Sequence, residues 1–133
     1  MRVLADTCIW SAALRKKSGR TEVIERLKSL IEDDRIVLVG AIRQEILSGI
    51  REEAVFKRIE KRLDPFPDLA LTKFEYVMAA RFANRCRSNG IQGSSVDFLL
   101  VAAAINHGCS IFTTDLDFEQ FEAAIPELKL YSL

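Results

Sequence analysis

The spacing of apolar residues changes period several times along the chain, and each change marks a predicted element. Val3, Leu4 and Ala5 form a brief apolar run that stops at Asp6-Thr7, which predicts a strand followed at once by a helix start. Residues 8–14 read as a short helix carrying Trp10, and residues 15–20 as a basic loop. Thr21 is placed to cap an amphipathic helix, because Val23, Ile24, Leu27, Leu30 and Ile31 recur at intervals of three and four. Residues 36–39 are a second apolar strand. Gly40 opens a helix with Ile42, Ile46 and Ile50 on one face and Glu45 at its flank.

The second half repeats the alternation. Residues 52–63 carry the stripe Val55, Phe56, Ile59 and Leu63 in a charged helix, and Pro65 and Pro67 break the chain. Leu47, Ile50, Phe56 and Ile59 together offer either core or a partner surface. Residues 69–71 suggest a short strand, and Thr72 caps a long helix over 73–88 that ends at Asn89-Gly90. The run VDFLLVAAAI, residues 96–105, is too continuously apolar for a surface segment, so it predicts a largely buried helix with Ser94 or Ser95 as N-cap and Asp97 in its first turn. His107, Gly108 and Cys109 end it. Residues 110–113 form a strand that releases Thr114, Asp115 and Asp117 into a turn before FEQFEAAI, and residues 129–131 supply a last strand. Strands alternating with helices imply an α/β fold: a three-layer α/β/α sandwich around a central parallel sheet.

Composition narrows the class. At 133 residues, with 49% hydrophobic and 29% charged, the chain fits one globular domain spanning 1–133. Formal charge is 19 − 19 = 0, which removes the usual argument for a nucleic-acid partner from global base excess. A polyanion must then be met by a local patch or by bound cations. Cys8, Cys86 and Cys109 are odd in number and far apart, which suggests free thiols in a reducing cytoplasm. The start MRVLAD reads as neither a signal peptide nor a membrane anchor, and no apolar run is long enough to span a bilayer.

Candidate chemistry lies where the chain changes direction. Asp6 ends the first strand, Asp115 and Asp117 follow a later one, and Asp97 opens the helix feeding it. Each acid taken singly reads as a helix cap: Ser94 with Asp97 fits a capping box, and Asp115 or Asp117 complements the next helix dipole. Taken as a set, with Glu45 leaning in, they would crowd like charges, which is expensive unless protons or cations neutralise them. With no histidine or cysteine partner in view, oxygen ligation points to Mg²⁺ or Mn²⁺, ions suited to phosphate chemistry.

Four motifs in order then carry a resemblance. Asp6-Thr7 after the first strand, Glu45 within GAIRQEIL, Ser95-Val96-Asp97 before an alanine-rich helix, and Thr113-Thr114-Asp115-Leu116-Asp117-Phe118 resemble the PIN-domain ribonucleases, in particular the VapC toxins of toxin–antitoxin pairs, over nearly the whole chain. The resemblance implies a PIN-like α/β/α sandwich, Mg²⁺- or Mn²⁺-dependent cleavage of RNA, a homodimer, and inhibition by a cognate VapB-type antitoxin. By motif, Asp6, Glu45, Asp97 and Asp115 would be the catalytic acids, with Asp6, Asp97, Asp115 and Asp117 as metal ligands and Thr7 and Thr114 orienting carboxylates or water. Substrate RNA would be met by local bases such as Arg15, Lys16, Arg81 and Arg85, and attack on the phosphodiester would be in line.

Other readings stay open at this point. An aspartyl phosphatase with Asp6 as nucleophile would want a second aspartate two residues on, where this chain has Cys8. An α/β binding module would use the acids as caps and the helices of residues 42–63 as a docking face. A housekeeping RNA-maturation nuclease would share the chemistry without an antitoxin.

Overall fold

The computed structural model describes residues 1–15 and 20–133. Its elements run β1 (Val3–Ala5), α1 (Thr7–Leu14), α2 (Thr21–Glu32), β2 (Ile36–Val37), α3 (Gly40–Leu47), α4 (Glu53–Leu63), α5 (Lys73–Ser88), α6 (Ser95–His107), β3 (Ser110–Phe112) and α7 (Asp117–Ala124). The strands form a parallel sheet in the order β2-β1-β3. β1 is central and wholly buried, as a strand covered on both faces must be, which is why Val3, Leu4 and Ala5 carry no polar alternation. Its register sets Val3 opposite Ile36 on one side, and Val3, Leu4 and Ala5 opposite Ser110, Ile111 and Phe112 on the other.

Both expected outer strands contract to single bridges. Asp68 pairs with Leu38 through hydrogen bonds to Pro67 O and from Leu69 N, at 3.0 and 2.8 Å, and Leu130 pairs with Ile111 through Lys129 O and Tyr131 N, at 3.0 and 2.8 Å. Pro67 has no N–H to extend the first ladder. The anticipated strand at residues 69–71 therefore shifts to its leading edge.

Helices flank the sheet as the expected α/β/α sandwich. α1 packs against α2 and α3, and α3 against α4, while α5 lies along α6 and reaches α7. α6 is the most buried helix: Phe98, Leu100, Val101, Ala102, Ala103 and Ala104 are all in the core, and the alanines let it lie close to its neighbours. It ends on Gly108 at φ 67°, a left-handed residue whose N–H closes onto Ala104 O and Ile105 O. At the other end Ser94 and Asp97 exchange hydrogen bonds as a capping box.

Some local expectations change. Arg20, without a side-chain bond, is the N-cap of α2, and Thr21 is already helical. α3 stops at Leu47, so Ile50 falls beyond it. Ile59 is buried, Leu47 and Ile50 pack against the core, and Phe56 is half-buried, so this stripe is mostly interior. The large exposed apolar side chains of the long helix are instead Phe74, Tyr76 and Val77, each more than half exposed.

Gly93 sets the approach to α6. A Cβ there would lie 2.5 Å from Phe121 Cζ and 3.0 Å from Phe98 Cε2, and both rings are buried and packed at a tilt against each other, centroids 4.9 Å apart. Gly93→Ala should destabilise the fold by about 1–3 kcal/mol, read from the urea midpoint, since a buried ring must shift to admit the methyl group. An unchanged midpoint would show that the aromatic pair yields freely.

Candidate active site

The register of the central strands builds the site. Because Ala5 pairs with Phe112, the next residues, Asp6 and Thr113, emerge side by side at the strands' C-terminal ends, where open parallel sheets bind ligands. Asp6 N donates to Phe112 O at 2.9 Å, and Thr113 Oγ1 donates to Asp6 Oδ2 at 2.9 Å. Asp6 also caps α1, with its Oδ1 accepting from Thr7 N at 2.8 Å. From there the contacts spread to two other elements. Thr7 Oγ1 reaches Glu45 Oε2 of α3 at 3.3 Å, and Thr113 Oγ1 accepts from Asp115 N at 3.0 Å. Asp115 Oδ1 in turn accepts from Asp117 N at 2.9 Å, fixing the first turn of α7.

Asp97 joins this group through space. It is half-buried at the start of α6, with Oδ2 accepting from Ser94 N at 3.0 Å, and its charge raises the pKa of Asp6. Burial is the larger cause of that rise: Asp6 is only 8% exposed. Hydrogen bonds from Thr113, Thr7 and Cys8 oppose it without cancelling it.

Among the described residues the ion pairs are Arg43 with Asp68 and Arg85 with Glu127, so no lysine or arginine there pairs with Asp6, Glu45, Asp97 or Asp115. Nor do any three Asp, Glu, His or Cys side chains among those residues stand close enough together to hold one ion directly. The donor set nevertheless suits a hard, hydrated dication, which needs only one or two carboxylates and keeps several waters. One oxygen of Glu45, of Asp97 and of Asp115 is taken by the bonds just described, and the other makes no hydrogen bond among the described residues.

Two site residues escaped sequence reasoning. The hydroxyl that reaches a carboxylate from the β3 exit belongs to Thr113; that of Thr114, the expected one, donates to Cys8 Sγ at 3.4 Å. Cys8 itself sits beside Asp6, its half-buried thiol 3.6 Å from Oδ2. Strand pairing was the missing signal for Thr113, since TTD alone does not say which threonine faces β1. For Cys8 the two-residue offset from Asp6 was visible.

Of the expected bases, Arg15 is exposed at the C-cap of α1 and Arg81 is exposed on α5. Lys16 lies outside the described residues. Arg85 is drawn to Glu127 at 3.5 Å and lies over the Phe82 ring. A cleft of about 620 Å³ opens beside Thr114 and Asp115, lined also by Leu116, Glu119 and Tyr131. No helix among the described residues is long and apolar enough to cross a membrane.

Comparison with known proteins follows the same lines. The PIN domain family model matches residues 3–124. A VapC ribonuclease from Mycobacterium bovis is 30% identical over 120 residues, covering 88% of this chain and 89% of that protein. Ribonuclease VapC11 from Mycobacterium tuberculosis matches to the same extent, 30% over 120 residues with 88% and 89% covered. Among solved structures, VapBC2 from Rickettsia felis, bound to a DNA fragment from its promoter, superposes with a TM-score of 0.80 at 17% identity over 100% of this chain and 99% of that one. FitAcB from Neisseria gonorrhoeae gives 0.74 at 20% identity over 98% and 96%. At such identities the structures speak for the fold alone.

The titration of Asp6 has a direct consequence for stability. Its pKa in the folded chain is raised above the ordinary 3.8, so the folded state holds the proton more tightly than the unfolded one. The stability this group contributes is full below 3.8 and is lost as pH climbs through the raised value. With a chelator present, Asp6→Asn should therefore melt higher than wild type at neutral pH, and the gap should close on acidification. Thermal melts across that range check this; a gap independent of pH would contradict it.

Proposed function

Because this chain belongs to the PIN-domain family, we propose that it is a divalent-metal-dependent endoribonuclease, the toxin of a VapBC-type toxin–antitoxin pair, with residues 1–133 acting as one nuclease domain. The observation that carries the reading is a chain of hydrogen bonds centred on Asp6: Thr7 binds Asp6 with its N–H and Glu45 with its hydroxyl, Thr113 binds Asp6 with its hydroxyl and accepts from the main chain of Asp115, and the charge of Asp97 is felt by Asp6. Uncompensated carboxylates in that number favour a cation over any anionic ligand. The curated relatives from two mycobacteria are named ribonucleases, which supports the same substrate class here.

Asp6, Asp97 and Asp115, with Asp117 as a further acid, would hold Mg²⁺ or Mn²⁺ partly through the ion's own waters, one or two carboxylates at most meeting it directly. When bound, the ion supplies Lewis acidity toward a phosphoryl oxygen and lowers the pKa of its water. The chain's own residues do the rest. Thr113 fixes the rotamer of Asp6, and Thr7 holds one oxygen of Glu45, leaving the other to take a proton from the attacking water. Asp115 is steadied from both sides, by Thr113 at its N–H and by Asp117 N at its carboxylate. RNA phosphates would be met by exposed bases, of which Arg15 and Arg81 are uncommitted to any ion pair among the described residues, with Lys16 next to Arg15 in sequence.

Two partners follow. A VapB-type antitoxin is supported by structural neighbours solved as VapBC and FitAB complexes. A second copy of this chain would cover Phe74, Tyr76 and Val77 on α5, a large apolar exposure for a protein working in the cytoplasm.

Asp6→Asn and Asp97→Asn should each lower Mn²⁺-dependent cleavage of single-stranded RNA by roughly a hundredfold or more while the protein stays folded. Wild-type rates in either would refute the assignment, and absence of Mn²⁺ binding in the parent protein would favour a non-catalytic binding module. Val77→Glu should turn a dimer into a monomer by light scattering; a dimer that persists would move the interface elsewhere.

A further inference from the structure

Cys8 lies in the first turn of α1, two residues past Asp6, and its sulfur touches both halves of the site. Sγ donates toward Asp6 Oδ2 at 3.6 Å and lies 3.4 Å from Thr113 Oγ1. From the other side, Thr114 N and Thr114 Oγ1 both donate to the sulfur at 3.4 Å. The proton count orders these contacts. Thr113 gives its one hydroxyl proton to Asp6 Oδ2 and accepts from Asp115 N. A thiol has a single proton and is a weak acceptor, so with Thr114 donating to the sulfur, its own proton is left for Asp6 or Thr113. Cys86 and Cys109 do nothing comparable: both are buried in the core, and the bond made by Cys109 is to His107 O.

We propose that Cys8 is a positioning residue for Asp6. Its sulfur joins the start of α1 to the β3 exit at residues 113–114, and so sets which lone pairs of the Asp6 carboxylate face an incoming dication. This rests on the nuclease reading above, although its test can fail separately. A methyl group in the same place would fill part of the volume but would leave the N–H and O–H of Thr114 without their acceptor and would free Oδ2 of Asp6 from one of its donors. A serine would keep both donor and acceptor, at somewhat shorter reach.

The experiment compares wild type, Cys8→Ala and Cys8→Ser in two assays: calorimetric titration with Mn²⁺ and steady-state cleavage of a single-stranded RNA. Cys8→Ala should weaken Mn²⁺ binding and lower kcat by about tenfold each, with KM nearly unchanged, and Cys8→Ser should recover most of both. An alanine variant that binds Mn²⁺ like wild type, or a serine variant as impaired as alanine, would overturn the proposal. If wild type cleaves no RNA yet Mn²⁺ binding still falls in alanine and returns in serine, the nuclease reading fails and the positioning role stands. A wild type that binds no Mn²⁺ overturns both. Should Cys8→Ala not fold, Thr114→Val removes one donor to the sulfur and leaves the bonds of Asp6 intact; Mn²⁺ binding weakened by a few fold supports the role, and unchanged binding contradicts it.

Discussion

Asp6 is a carboxylate that the fold buries beside the central strand while surrounding it with neutral donors only. Burial favours its protonated form, and the charge of Asp97 adds to that pressure. A main-chain N–H, a threonine hydroxyl and a thiol are what the protein itself sets against it. The N–H and the thiol follow Asp6 directly in the chain, whereas the hydroxyl of Thr113 is brought there by the sheet register, so the site and the fold share one constraint: Ala5 opposite Phe112. A slip of that pairing by one residue would turn Thr113 away from Asp6 and send the side chains of β3 to the opposite face.

That constraint explains how distant segments come together. α3 contributes Glu45 because it packs on α1, whose Thr7 carries the linking hydroxyl. α6 contributes Asp97 because its apolar body is committed to the core, which leaves its end turns to carry polar groups, and its first turn is the end that faces the site. Gly93 controls how that turn arrives, against the Phe98–Phe121 pair. Packing around one aromatic contact therefore bears on the electrostatics of an aspartate contributed by another element.

Much of this was legible in the sequence, though unevenly. β1, β3 and the long helices were readable because burial there is continuous or strictly periodic, as in residues 96–105 and in the α2 stripe. The outer pairings were read as strands at 69–71 and 129–131, and the second contains its bridge at Leu130 while the first misses Asp68 by one residue, because a single bridge leaves no periodicity from which to set an extent. The acids were legible by position, at strand ends and first helical turns. Their supporting groups were legible only in part: Thr7 follows Asp6 directly, whereas Thr113 depends on strand pairing, and Cys8 matters through contacts to residues 113 and 114 that lie more than a hundred positions away. The apolar stripe on α4 was ambiguous for a similar reason, since periodicity shows that a face is apolar and says nothing about whether the chain's own core already covers it.

Helix capping and metal holding competed as explanations for these acids in the sequence, and the geometry shows why they need not compete. A cap engages one oxygen of a carboxylate and fixes its rotamer. In Asp97 that oxygen is Oδ2, held by Ser94 N, and in Asp115 it is Oδ1, held by Asp117 N. The second oxygen is then aimed by the same bond that anchors the first. A carboxylate pinned in this way has lost rotamer freedom during folding and has little more to lose on meeting a cation, so the helix starts pre-organise the acids they carry. On the proposed reading, local stability and readiness for a cation would be two consequences of one hydrogen bond, which residue type and spacing alone could not have told apart.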